Sequence, residues 1–204
     1  SAKDNTNRYN FKVYDGSAFM AKNAYIGDVD DAGGWVSGDP MWGIAGIEIN
    51  TSNVVMDQCT ITNSYVILLY GDDGNYTDNV ISGQEYGFMT YKANRNRIHQ
   101  NDITTTSESI YLIDSTRDNN VTNNNLTSTS GGTVFISQGV ERNLFSDNRI
   151  DGNGGAKTKV IDLTSNANNN TFIDNDIDGN DDTHCIRCKG DYNNFSSNII
   201  QECT

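Results

Sequence analysis

The chain has 204 residues, a formal charge of −13 and 35% hydrophobic residues, enough for one domain with a core of its own. With 14 Lys and Arg against 27 Asp and Glu it lacks the clustered cations that phosphate binding requires, which argues against a nucleic-acid partner. No apolar run approaches the roughly 20 residues of a membrane span, and a single proline among many Asn, Thr, Ser, Asp and Gly favours strands and turns over helices.

In chain order, Ser1 opens without a charged, apolar leader and reads as a processed start. Residues 10–26 are predicted to form a first repeat: Phe11 and Val13 alternate inward, and Ala18, Met20, Asn23 and Tyr25 follow. Residues 27–44 break the pattern and read as an inserted loop. That loop holds Trp35 and Trp42, suited to clamping it to the body or to stacking on a sugar. Asp28, Asp30, Asp31 and Asp39 in and beside it read as a solvated turn, with calcium ligation the other option.

One unit then recurs, seen most plainly as Asn170, Phe172, Asn175 and Ile177 at positions 0, +2, +5 and +7. The same frame gives Val54, Met56, Cys59 and Ile61; Gly74, Tyr76, Asn79 and Ile81; Asn96, Ile98, Asn101 and Ile103; Asn119, Val121, Asn124 and Leu126; Asn143, Phe145, Asn148 and Ile150; and Asn193, Phe195, Asn198 and Ile200. Gaps between successive +7 residues from Ile61 onward are 20, 22, 23, 24, 27 and 23, so the unit is fixed and the joins vary. Such a period predicts an all-β solenoid of about eight rungs spanning 1–204, each rung burying its apolar side against its neighbours.

Each unit is preceded by a second predicted strand. Ile47, Ile67, Met89, Leu112, Ile136, Leu163 and Ile186 stand at −7 and are expected to face inward. An inward amide at +5 needs a partner. Stacking supplies one, so Asn23, Asn79, Asn101, Asn124, Asn148, Asn175 and Asn198 are expected to form a ladder at a bend, interrupted by Cys59.

The repeated N-x-φ-x-x-N-x-I, with φ apolar, resembles the repeat of right-handed parallel β-helices, the superfamily of pectate-lyase-like enzymes, alginate epimerases, phage tailspikes and many surface proteins. The resemblance covers about residues 10–200 and implies the fold more strongly than any function. Epimerase relatives carry Asp-Pro-His-Glu. Here Asp39 and Pro40 continue to Met41 and Trp42, so that catalytic set does not carry over.

Relatives hold their substrates on the outward side of the −7 strands, where Val66, Leu68, Phe88, Tyr111, Ile113 and Phe135 are predicted to form an apolar patch. A patch of that size calls for a cover: a lateral protein contact, the Trp loop, or a sugar. Tyr70, Lys92, Asp114, Arg117 and Glu141 lie beside it. A lyase or C5-epimerase needs a base, an acid and a cation, roles that Lys92, Tyr111 and Arg117 can fill in principle, against a salt-bridged surface as the simpler reading. His99 and His184 do not cluster.

Asp174, Asp176, Asp178 and Gly179 open like an EF-hand loop, but Cys185 stands where the bidentate Glu belongs, which leaves at most a weakly held Ca²⁺ at a turn. Cys185 and Cys188 form a lone C-x-x-C without the partners of a zinc site. Cys185 is predicted to face outward and to bond Cys203 of another copy. Sequons begin at Asn50, Asn75, Asn120, Asn125, Asn169 and Asn194. No capping element is legible at either end, so the chain is expected to be a fragment or to meet its copies head to tail. The expectation is therefore a non-catalytic extracellular structural protein that forms oligomers or polymers, as in a surface layer, sheath or fibre. The alternative is a carbohydrate-binding or carbohydrate-active β-helix. No cofactor other than Ca²⁺ is expected.

Overall fold

The computed structural model describes residues 11–29, 46–64, 66–83, 85–152, 159–180 and 184–203. Short strands follow one another through these residues, with no helix among them, and every third strand pairs in parallel into the same sheet. Three eight-stranded sheets result. The first runs from Phe11–Val13 through Val66–Leu69, Phe88–Tyr91, Ile110–Ile113, Val134–Ile136 and Lys159–Leu163 to His184–Cys188. The second runs from Met20–Lys22 to Asn194–Ser196 and the third from Tyr25–Gly27 to Ile199–Gln201.

The +2 and +7 residues fill the interior by stacking in columns. Met56, Tyr76, Ile98, Val121, Phe145, Phe172 and Phe195 are register partners in the second sheet. Ile61, Ile81, Ile103, Leu126, Ile150, Ile177 and Ile200 are partners in the third. Phe145, Phe172 and Phe195 stack nearly face to face at 4.5 and 4.8 Å. Burying one such ring stabilises the fold by about 1.5–3 kcal/mol.

Two amide ladders, not one, run along the stack. At +5, the Oδ1 of Asn148 accepts the backbone N–H and the Nδ2 of Asn124. The Nδ2 of Asn148 donates to Asn175 Oδ1 and to the Val121 carbonyl. At position 0, Asn143 does the same with Asn119, Asn170 and the Thr116 carbonyl. Both lone pairs and both amide protons of Asn143 and Asn148 are used, so these buried primary amides cost nothing in unmet hydrogen bonds. Cys59 breaks the +5 ladder as expected, though its backbone N–H still donates to Asn79 Oδ1. Gly74 opens the position-0 ladder because a Cβ there would meet the Tyr76 ring at 2.6 Å and Asn96 Oδ1 at 2.8 Å.

The ladders explain a row of left-handed residues. The residue before each position 0 has positive φ, as in Asp73, Arg95, Asp118, Arg142 and Asn169, and so has the residue before each +5, as in Asp78, Gln100, Asn123, Asp147 and Asp174. This conformation costs a non-glycine residue about 1–2 kcal/mol. It turns the chain through the corner and aims the next amide along the stack, where the ladder bonds offset the strain.

The first rung corrects the frame. Tyr25 pairs with Thr60 and Met20 with Val55, which puts Ala21 and Ile26 in the apolar columns and Ala24 in line with Cys59. Asn23 is instead the positive-φ residue before that place, and Met20 and Tyr25 are exposed. The true frame lies one residue later than the repeat pattern suggests, because its residues Phe19, Ala21 and Ala24 carry no amide to mark it. Gly27 ends a strand and Val29 is buried in the core, so the interruption starts later than residue 27.

Candidate ligand-binding face

The first sheet carries the side of the stack that departs most from scaffold chemistry. Its inward columns are Ile47, Val66, Phe88, Ile110, Val134 and Ile161, and Ile49, Leu68, Thr90, Leu112, Ile136 and Leu163. Val66, Leu68 and Phe88, predicted outward, therefore belong to the core, and Ile67 and Met89, predicted inward, face out. The error has a physical source. Leu68 and Thr90 precede their position-0 residues by six, whereas Leu112, Ile136 and Leu163 precede theirs by seven. Val66–Leu69 is apolar throughout, so alternation alone could not choose its face.

Tyr111, Ile113 and Phe135 do face outward. Ile67, Leu69 and Met89 lie beneath them at 2, 4 and 1% exposure, with Tyr86, Tyr91, Tyr111 and Ile113 packed against them. The apolar patch is thus largely closed over by tyrosines of the same chain, which corrects the expectation that these positions stand open for an external cover.

Above this buried layer runs an aromatic strip. Tyr86 and Tyr111 stack at 5.4 Å with an interplanar angle of 11°, and Phe135 meets Tyr111 edge-on at 5.0 Å. Backbone bonds from Ser107 N–H to the Glu85 carbonyl (2.9 Å) and from Gly87 N–H to the Glu108 carbonyl (3.1 Å) lay the lead-in segments of two rungs side by side. Glu85, Tyr86, Ser107 and Glu108 therefore gather at one edge of the strip. Gly131 follows in the next rung, where a Cβ would meet the Ser107 Cα at 2.8 Å.

The charges around the strip are predominantly negative. Burial holds the Glu108 carboxyl above the ordinary glutamate range, Glu85 and Asp162 add repulsion, and the Ser107 hydroxyl bonded to it pulls the other way. Burial also pushes the Tyr86 phenol up to about 12, reinforced by Glu85, Glu108 and Tyr111. Asp162, next to Phe135 in register, is held by a bidentate ion pair with Arg187, its Oδ1 accepting from Arg187 Nε at 2.7 Å. On the opposite flank Lys92 pairs with Asp114 at 3.5 Å and lies 4.9 Å from the Tyr91 ring centroid.

The other predicted residues are distributed as follows. Arg117 and Glu141 form an isolated bridge at the next corner, where the backbone N–H of Arg117 donates to Asn94 Oδ1, so they are not gathered with Lys92. His99 Nδ1 shares a hydrogen bond with Thr122 Oγ1 at 2.8 Å. Trp35, Trp42, Asp30, Asp31 and Asp39 lie outside the described residues, and Asp28 accepts from Asn63 Nδ2. Asp174 sits in a corner, while Asp176 and Asp178 share a strand of the third sheet. Asp178 accepts from the backbone N–H of Asn180, and no group of three or more His, Cys, Asp or Glu poised for a metal occurs among the described residues.

Cys185 is corrected on both counts. It is buried against the core, and its disulfide partner is Cys203 of its own chain, with Cα atoms 5.5 Å apart. Cys185 falls between the register pairs Lys159–His184 and Ile161–Ile186, beside Val160, and because Val160 and Ile161 are both buried, simple alternation does not predict which way it faces. Cys188 is an exposed free thiol.

Glu85, Tyr86, Ser107 and Glu108 escaped the sequence reading because they precede the strands, in joins where no repeat frame applies. The available signal was Tyr86 and Glu108 each standing two residues ahead of an inward aromatic or aliphatic, Phe88 and Ile110.

Beyond the geometry, residues 4–162 match the family model described as the right handed beta helix region. The chain belongs to the right-handed β-helix family. No curated protein and no solved structure gives a significant match to it. Membership accounts for the three sheets and leaves the strip, which is built from non-repeating residues, to be explained by its own chemistry.

Proposed function

We propose that this β-helix is a non-catalytic extracellular protein that binds a glycan along the outward side of its first sheet. The observation that carries the reading is the Tyr86, Tyr111 and Phe135 strip, whose ring faces and edges are held in place by a buried apolar layer below and flanked by hydrogen-bonding carboxylates. Aromatic faces stack on the apolar C–H faces of sugar rings, and neighbouring polar groups take up hydroxyls. Binding without turnover is favoured because Asp162 is already committed to Arg187, and Lys92 to Asp114. The Cys185–Cys203 disulfide supports an oxidising compartment. A glycan array read with the protein and with Tyr111→Leu tests it: retention of specific glycans by the first and their loss by the second is expected, and equal retention defeats the reading.

Self-association by stacking of rungs, as in a layer, sheath or fibre, is a second reading with its own observation. In the last described rung, Asn193 and Asn198 each accept from the rung before and donate back to a carbonyl of it, and Ile199 and Ile200 are 63 and 49% exposed. A further rung, of this chain or of a second copy, would meet all four residues. Electron microscopy and sedimentation of the purified protein distinguish filaments from monomers.

A further inference from the structure

We infer that the strip selects a glycan bearing protonated amines over a neutral or uronate one; the inference rests on the glycan-binding reading above. Three features of the strip converge on that chemistry. Stacked tyrosine faces present the negative side of the ring quadrupole, which attracts an ammonium group. The charged neighbours acting on Glu108 are Glu85 and Asp162, and those acting on Tyr86 are Glu85, Glu108 and Tyr111, so the local field at this edge is built from acids. Of the cations in the sheet, Arg187 closes on Asp162, Lys92 on Asp114 and Lys12 on Glu48, while Lys159 stands in the column of Glu108 but two rungs along, beyond Gly132. A uronate approaching Tyr111 meets Glu85 and Glu108 first, with Lys159 two rungs further along. An amino sugar places its apolar face on Tyr111 and its ammonium between Glu85 and Glu108.

The Ser107 hydroxyl sharpens the geometry, because it fixes one oxygen of the Glu108 carboxylate. Gly131, beside Ser107 in the next rung, adds no side chain that would fill the approach. The bulk charge of −13 attracts any polycation weakly, so the test must separate local from global attraction.

Titration calorimetry at pH 6 with a glucosamine hexamer, an N-acetylglucosamine hexamer and a galacturonate hexamer provides that separation. The glucosamine hexamer is expected to bind about tenfold or more tightly than the other two. Glu85→Gln combined with Glu108→Gln should erase that advantage, and Asp147→Asn combined with Asp174→Asn, an equal charge change at distant corners, should keep it. Tyr111→Leu, which retains an apolar cover over Met89, should weaken binding of the glucosamine hexamer about tenfold. Equal or tighter binding of the acetylated or uronate hexamer overturns the selectivity and leaves the glycan reading intact. Equal weakening by both double variants reduces the effect to bulk charge and also overturns it. No binding of any hexamer, with array-positive glycans also absent, removes both.

Discussion

The corner between the second and third sheets and the joins between the third sheet and the first obey opposite rules. In every rung the +2 and +7 residues are five apart, from Ala21 and Ile26 through Phe172 and Ile177 to Phe195 and Ile200. The joins from a +7 residue to the next inward residue of the first sheet range from five residues, Ile61 to Val66, to eleven, Ile150 to Ile161, and to 21 from Ile26 to Ile47. The corner is fixed because a positive-φ residue and a laddered amide must both fall in place, and one inserted residue would break four hydrogen bonds at once. The joins face no such demand. Glu85, Tyr86, Ser107 and Glu108, the residues that give the strip its chemistry, all lie in them.

The sharpest way to break that contrast is to cut a ladder in its middle. Asn148→Ala removes the acceptor for Asn124 and the donor to Val121 and Asn175, and should cost about 3–5 kcal/mol in urea unfolding, since each stranded buried group costs about 1–3 kcal/mol. A value near that of an exposed Asn would show that the amides are decorative. Next in size, Cys185→Ser with Cys203→Ser should lower stability by about 2–4 kcal/mol. With the exposed thiol removed by Cys188→Ser, the protein should run as a monomer on non-reducing gels; covalent dimers would place the Cys185–Cys203 bond between chains instead.

On the face side, Glu108→Gln should stabilise the protein at neutral pH. Because burial raises the folded-state pKa of Glu108 above its unfolded value, the ionised form is the disfavoured one, and stability falls as pH rises from the ordinary value of 4.5 through the raised one. The melting-temperature gain of the variant should therefore be largest above that window and vanish below it. A gain independent of pH would assign it to packing. Smallest of all, Ser130→Ala in an exposed join should change stability by less than about 0.5 kcal/mol, measured in the same urea series as Asn148→Ala.

The same contrast decides what the sequence could reveal. The apolar columns from Met56 and Ile61 onward and the +5 ladder were legible because an amide five residues after a repeating apolar position has no other economical explanation. The position-0 amides were visible as a pattern but not as a second ladder, since nothing in one dimension tells an inward Asn from a turn Asn. Outside the fixed unit, legibility fell away. Val66, Leu68 and Phe88 lie opposite to their expected faces, as do Ile67 and Met89, because Leu68 and Thr90 precede position 0 by six residues instead of seven, and a one-residue shift reverses every side chain of a strand. Tyr111, Ile113 and Phe135 face as expected because in their rungs the inward Leu112 and Ile136 precede position 0 by the common seven residues. Glu108 was invisible as a site residue, because its character comes from Tyr86, Glu85 and Asp162, which are distant in sequence and meet only when rungs stack.

The laddered amides also give the molecule an electrical direction. From Asn79 to Asn175, and again from Asn119 to Asn170, one side-chain N–H of each amide donates to the Oδ1 of the next rung toward the C-terminus, while the other returns to a backbone carbonyl of the rung before. In a parallel sheet the backbone dipoles alternate and largely cancel. Two in-line files of amides do not cancel, and each link polarises the next. The stack therefore has a direction: a rung added beyond Asn198 would meet an amide, whereas at the other end of the two files the Asn79 and Asn96 side-chain carbonyls are already met by the backbone N–H groups of Cys59 and Gly74.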